Sequence, residues 1–436
     1  MCLVTSFLII LQPLAAAMSN RSFDNLTTIL SGWVFASRHT LSRMIGLAEG
    51  GSKKHFTTLY RLFAEASWSR DALGRAVFEL IEPWLAEGAI FLAMDDTLAR
   101  KRGLKVFGVG MHHDPLLSSR KTAITNWGHS WVVLGVLVTF KRWPQRTFCL
   151  PILFRLYLNK ATSAKYGRVH HTRPELAIEM LRVVCGWRKQ RRFHVVADSA
   201  YGGQKVLKAL PANCDLTSRL LLDARIYGPA PAHRPGSRGR PRVRGERLPT
   251  PAEMLEQRAC RLELQIYGRH DRVRAVDAVG YLHAVPGRPL RIVAVEPLSG
   301  GRPKQAFYST CQEASAEQVL MWYAGRWSIE VTNHDSKQHL GFEEPQGWSR
   351  RAVERTAPTA MLLYSLIVLW YVEEGHARYR QLDRPWYTTK SQESFADMLI
   401  TLRRASVREQ VLSWGLHGPG SQKIIETLEN VISFAA

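Results

Sequence analysis

Along the first 88 residues, apolar side chains recur at spacings of three and four: Leu26, Ile29, Leu30 and Trp33, then Phe56, Leu59, Tyr60 and Phe63. That is the period of amphipathic helices. Between the two sets, His39-Thr40-Leu41-Ser42-Arg43-Met44-Ile45 leads through Gly50-Gly51 to Lys53-Lys54-His55. Two short helices around a glycine turn, the second one basic, fit a helix-turn-helix DNA reader, and a plain helical bundle has the same pattern. At Ala89 the texture changes. Ala89 to Met94 is an unbroken apolar run that ends on Asp95-Asp96, which predicts a buried strand. Lys105–Gly110 and Trp131–Phe140 predict two more strands, and Leu150–Leu158 either a strand or the start of a helix. Glu175–Trp187 has helical spacing. Phe193–Ala197 is a second short strand ending on an acid, Asp198, followed by a helix over Gln204–Leu210 and a strand over Leu216–Leu220. This order predicts an α/β fold, a mixed sheet with helices on its faces.

Residues 228–250 interrupt the pattern. Arg234, Arg238, Arg240, Arg242, Arg244 and Arg247 stand among prolines and glycines with one acid, Glu246. Such a segment is neither regular helix nor central strand. It is a solvated linker or an arm that follows a phosphate backbone or enters a minor groove. The crowding of like charge favours the arm. After it, Arg261–Tyr267, Arg272–Gly280, Leu290–Val295 and Gln305–Thr310 alternate as antiparallel strands do. From Ala316 the chain reads as mostly helical. The expected organisation is a helical DNA-binding domain over 1–88, a core over 89–227, and an Arg-rich arm with a β insertion over 228–312. The last core helices follow over 313–375, then a helical C-terminal region over 376–436.

Composition bears on the partner. Lys and Arg number 59 against 37 Asp and Glu, a formal net charge of +22 on 436 residues. An enzyme of small metabolites has little need of that charge, whereas a polyanion that releases counterions on binding does. Apolar residues are 46%, enough for a sizeable core divided among two or three domains. The six cysteines are far apart, with no C-x-x-C pair, so they read as reduced thiols of a cytoplasmic protein and not as a zinc site or disulfide framework. Residues 1–18 are apolar, but they lack a basic start and contain Pro13, which favours a packed first helix, or an over-extended start upstream of Met18, over an export signal. Ala360–Val372 is shorter than the roughly 20 residues a spanning helix needs and reads as a core helix.

Three carboxylates are the candidate chemistry. Asp96 and Asp198 end two strands and Glu330 lies on a helix. Such oxygen donors suit Mg²⁺, and two ions about 4 Å apart can activate a nucleophile and stabilise a leaving oxygen in phosphoryl transfer. Asp95 and Asp96 point to opposite faces of a strand. Asp96, which precedes Thr97, is taken as the ligand. At about 100° per residue, Tyr323, Arg326, Glu330, His334 and Lys337 fall within roughly 60° on one continuous helix. This face would suit a scissile phosphate.

The run Tyr323-x2-Arg326-x3-Glu330-x6-Lys337 resembles the signature of a large group of bacterial insertion-sequence transposases of the DDE class. Asp96-Thr97 and the run Val196-Ala197-Asp198-Ser199-Ala200-Tyr201-Gly202-Gly203 look like the group's two Asp motifs in the right order. Gly239-Arg240-Pro241-Arg242 and Ser394–Leu399 also fit. The likeness covers roughly residues 25–405. It implies an RNase H-like mixed sheet with flanking helices, a β insertion before the last catalytic helix, and a helical N-terminal DNA-binding domain. It further implies Mg²⁺ or Mn²⁺ at Asp96, Asp198 and Glu330, and cleavage at the ends of the protein's own element. Strand transfer into target DNA and a homodimer on paired ends belong to the same picture. Tyr323, Arg326 and Lys337 would handle DNA near the cut, with His334 and the arm residues Arg238, Arg240, Arg242 and Arg244 beside them. The expected location is the cytoplasm, on the nucleoid, with no membrane partner. No Trp lies between Trp187 and Trp322, so Tyr267, Tyr281 or Tyr308 would have to stack any extruded base. His112-His113-Asp114 reads as a hydrogen-bonded turn or a ligand cluster. Lys121 and His129 flank Trp127 in a loop that either touches DNA or is merely solvated. The competing functions are a catalytically dead DNA-binding regulator, a stand-alone two-metal nuclease, and a secreted or membrane protein.

Overall fold

The computed structural model describes residues 1–49, 53–119, 121–232, 241–266, 269–298, 301–379, 390, 392–415 and 419–434. Its centre is a mixed sheet. The first part is β1 (Ile90–Arg100), β2 (Gly110–His113), β3 (Thr125–Thr139), β4 (Thr147–Tyr157), β5 (Phe193–Ala197) and β6 (Cys214–Leu220). The second part is β7 (Ile226–Tyr227), β8 (Arg247–Leu248), β9 (Cys260–Ile266), β10 (Arg269–Leu282), β11 (Val285–Pro297) and β12 (Gln305–Ser309). Neighbours run β2-β3-β1-β5-β6-β12-β11-β10-β7-β8, with β4 also on β3 and β9 also on β10. The β1–β5 and β5–β6 pairs are parallel, and the other pairs are antiparallel. All five residues of β5 are buried, as a central parallel strand covered on both faces requires.

Several elements depart from the pattern reading. The strand predicted to stop at Asp95-Asp96 continues to Arg100, because β3 pairs with it through Arg100↔Gly128. The two acids are therefore mid-strand. Lys105–Gly110 is not a strand but turns that lead into β2. Leu150–Leu158 falls within β4 and its immediate end, held along β3 by ten paired positions from Ser130↔Tyr157 to Thr139↔Thr147. The strands after the Arg-rich stretch do not form a sheet of their own: β12 hydrogen-bonds to β6, so they prolong the central sheet.

Helices cover the sheet. Arg350–Glu373 is long and apolar enough to cross a membrane by length and composition, yet 94% of its most apolar window is buried inside the protein. Its Arg355 donates to the backbone carbonyls of Phe63, Ala66 and Trp68, which ties the N-terminal helices to it. The first helix, Thr5–Leu11, buries Phe7 edge-on against Trp370, and Ser6 Oγ accepts from the Trp370 indole at 3.0 Å. Buried Arg155 joins three elements, with a bidentate pair to Asp71 at 2.8 and 2.7 Å and a third bond to Glu179 at 2.7 Å. Asn20–Phe35, Leu41–Leu47 and Phe56–Ala64 are the helices of the glycine-turn region. Lys54 is drawn onto Asp24 at 2.5 Å and so does not stand free. Gly50 and Gly51 lie outside the described residues, as do Arg234, Arg238, Arg240 and Tyr267.

Candidate active site

The register of β1 and β5 brings Met94 beside Ala197, so Asp95-Asp96 and Asp198 follow side by side at the next positions of two parallel strands. Pleating sends Asp95 and Asp96 to opposite faces. Asp96 accepts from the Tyr201 hydroxyl at 3.0 Å and lies 3.2 Å from Arg173 Nε. Asp95 turns the other way and meets Arg326 at 3.2 Å, and the same guanidinium donates to Glu330 at 2.6 Å. Arg326 thus joins the acid-bearing strand to the Glu330 helix.

Burial pushes Asp95 up to about 7, with Asp96 and Asp198 adding to the shift and Arg326 opposing it. Burial also raises Asp96, against the pull of Arg173 and of the Tyr201 hydrogen bond. Tyr201 is raised well above its ordinary value by burial and by the adjacent Asp96, so it stays a phenol that donates. Burial works against the Arg326 charge, but Asp95, Tyr323 and Glu330 outweigh it and hold its pKa above the usual value. The Asp96 and Glu330 carboxylates are 30% and 33% exposed, whereas Asp95 is 16% exposed. The first two can be reached from solvent, and the third is largely covered.

The loop after β5 is fixed tightly. Ser218 Oγ donates to the Asp198 carbonyl at 2.8 Å, and Asp198 accepts from the Ala200 amide at 2.9 Å. From β12, Tyr308 donates to the Gly202 carbonyl at 2.5 Å. A Cβ at Gly202 would lie 2.2 Å from Ser218 Oγ, so only glycine permits this approach.

The continuous helix expected from Tyr323 to Lys337 is broken. Ala316–Gly325 and Trp327–Leu340 are separate helices, and three-residue backbone bonds at the junction, Arg326 to Tyr323 and Ile329 to Arg326, tighten the turn. Tyr323 therefore packs on Phe307 with ring centroids 4.5 Å apart, and Arg326 lies 5.6 Å from its ring. Lys337 donates to the Leu98 carbonyl at 2.7 Å and sits 3.3 Å from Glu343, which anchors its helix to β1. His334 is 70% exposed and lies 3.3 Å from Asp335. Gly341 ends the helix with φ +60°, beside His39, which pairs with Glu344 at 3.1 Å. Glu343 and Glu344 are thereby engaged away from the three acids. Arg242 is exposed, and Arg244 lies 5.4 Å from the Tyr227 ring. His112 and His113 are strand residues of β2, paired with Asn126 and Thr125, and only Asp114, which accepts from Arg100 and Asn126, begins the turn.

Asp95 was weighed against Asp96 and set aside, and Tyr201 and Arg173 were given no role from the sequence. Tyr201 lies in the Asp198 run itself. Arg173 is the first residue of a helix whose start is readable from its Thr172–Glu175 capping box, but nothing in that box reveals contact with Asp96.

Carboxylate oxygens on neighbouring parallel strands, in a chain this basic, describe a site for phosphoryl transfer on a polyanion. The chain belongs to the DDE superfamily endonuclease family, which it matches over residues 13–283, more than half its length. It is accordingly a nuclease with DNA as substrate, of a superfamily whose chemistry depends on divalent metal. The matched span contains Asp95, Asp96 and Asp198 and ends before Glu330. No curated protein is similar enough to be matched to it. The donor set suits such a metal, since it is all carboxylate oxygen. Among the described residues no three acids, histidines or cysteines converge into a ready cluster. The Arg326 guanidinium supplies the positive charge that Asp95 and Glu330 require.

Proposed function

We propose that this endonuclease is a transposase of the Tyr-Arg-Glu-Lys group, cutting at the ends of its own insertion sequence and joining them to target DNA. The observation that carries this reading is Arg326, which ties Glu330, outside the family match, to the strand bearing Asp95 and Asp96. The strand order β4-β3-β1-β5-β6, antiparallel first and parallel after β1, supports an RNase H-like core. Asp95, Asp198 and Glu330 would hold two Mg²⁺ or Mn²⁺ where Arg326 joins Asp95 to Glu330, in place of the Asp96 expected from the sequence, which faces the other way toward Tyr201 and Arg173. The metal, when bound, makes a water or 3′-OH nucleophilic and stabilises the leaving oxygen of the phosphodiester. Tyr201 and Arg173 orient Asp96. Arg326 is near enough to pass from Glu330 to a phosphate, which a guanidinium grips bidentately. Lys337 and His334 lie along the same helix. The helices of residues 1–88 and the arm with Arg238, Arg240, Arg242 and Arg244 would bind the element's ends in a homodimer, in the cytoplasm on the nucleoid.

The test is Mg²⁺-dependent cleavage of a labelled fragment that carries the element's end. Asp95→Asn, Asp198→Asn and Glu330→Gln should abolish cutting with end binding retained. Asp96→Asn should keep detectable cutting. Cutting that survives Glu330→Gln would leave a nuclease that does not use the Glu330 helix. Binding without cutting in the wild type would favour a regulator.

A further inference from the structure

The end of β1 beyond the acids carries a surface that the proposed chemistry does not use. Residues 100–127 contain six Lys or Arg and one acid, Asp114. That acid is 1% exposed and is spent within the fold, on Arg100, Asn126 and the Leu116 amide. Its role is to stiffen the turn that follows. Ser118 donates to the Ile124 carbonyl and accepts from its amide, and the Ser119 amide donates to the Thr122 carbonyl. On the hydrogen-bonded residues before Arg120, which lies outside the described residues, Leu116 and Leu117 are 75% and 53% exposed.

Two further exposed apolar side chains belong to the same end of β1. The Trp127 indole donates to the Gly103 carbonyl, next to Leu104, which is 73% exposed. Trp348 is 72% exposed, and its carbonyl accepts from the Phe107 amide. Lys101 donates to the Glu343 and Pro345 carbonyls, locking the Trp348 loop to the end of β1. Arg102, Lys105 and Lys121 of the same stretch are exposed. Arg100 is four residues past Asp96, about 13 Å along the strand.

Large apolar side chains held outward on hydrogen-bonded backbone, set among unpaired cations, match unstacked nucleic acid. Bases supply the apolar faces and phosphates the charge. A duplex alone offers phosphates but no open base faces. We propose that this surface binds an unpaired stretch of DNA beside the cut, with Trp348 as a stacking platform and Leu116–Leu117 as a wedge against the last base pair. The proposal rests on the reading of the chain as a DNA-cutting enzyme and adds the form of DNA it engages.

The experiment is fluorescence anisotropy with two probes of one sequence, a blunt duplex and the same duplex with a short single-stranded extension. The wild type should bind the extended probe at least about fivefold more tightly, since one stacked base contributes that much or more. Trp348→Ala, and separately Leu116→Ser with Leu117→Ser, should remove the preference and leave blunt-duplex affinity unchanged. All three side chains are exposed, so melting curves should match the wild type. Arg102→Gln with Lys105→Gln should weaken both probes and reduce the salt slope. Equal affinity of the wild type for the two probes, or a preference that survives Trp348→Ala and the double leucine change, would overturn the proposal. Binding of neither probe would overturn the DNA-enzyme reading and this inference with it.

Discussion

Acid should loosen this protein through a histidine remote from the acids. His129 on β3 is 2% exposed, and its Nε2 donates to the Phe107 carbonyl at 2.8 Å, holding the loop that carries Leu104. Burial lowers its pKa to about 3 from 6.5. Between those values the unfolded chain binds the proton that the folded one refuses, so the stabilisation is complete above pH 6.5 and is lost as pH falls toward 3. From pH 7 to pH 4 the loss from this one ring is about 3 kcal/mol, at about 1.4 kcal/mol per pKa unit. His112 and His194, both lowered by burial to about 4, act in the same direction, and Asp95 in the opposite one. The comparison is therefore made against His129→Gln, whose amide can donate to the same carbonyl and does not titrate. Urea unfolding followed by tryptophan fluorescence at pH 7 and pH 4 would measure it. The wild type should lose about 3 kcal/mol more than the variant between the two pH values. Equal losses would refute the assignment of a neutral, buried His129.

Two other predictions concern the scaffold and the arm. Arg155→Met should lower stability by about 2 kcal/mol in thermal unfolding, because a buried guanidinium is removed while Asp71 and Glu179 remain partly open to water. An unchanged melting temperature would mean that the three-way pair adds nothing net. Arg242→Gln with Arg244→Gln should flatten the salt dependence of DNA binding by roughly 0.9 log units for each phosphate left without its cation. An unaltered slope would leave the arm a linker.

What could be read from the sequence followed the range of the interactions. The apolar run before Asp95 and the buried β5 declared themselves, because strand burial is written in consecutive residues. The length of β1 did not, since Thr97 to Arg100, beyond the two acids, remain strand only through a partner some thirty residues away. The break at Arg326 was hidden because periodicity assumes one continuous helix, and Tyr323 instead follows Phe307. The two-faced pair Asp95-Asp96 was legible as a geometric necessity, yet what each face meets depends on Arg326 and Arg173, which lie 231 and 77 positions further along. The joining of β12 to β6 has no local signal at all.

The packing of Phe7 and Ser6 against Trp370 sets a timetable for synthesis. The first helix can bury its apolar face only when residues more than 360 positions later have left the ribosome. Contacts of such sequence separation close slowly and leave the early segment exposed meanwhile. The Glu330 helix emerges in the same late interval. A nascent chain therefore carries Asp95, Asp96 and Asp198 before the helix with Arg326 and Glu330 that packs against them has been made.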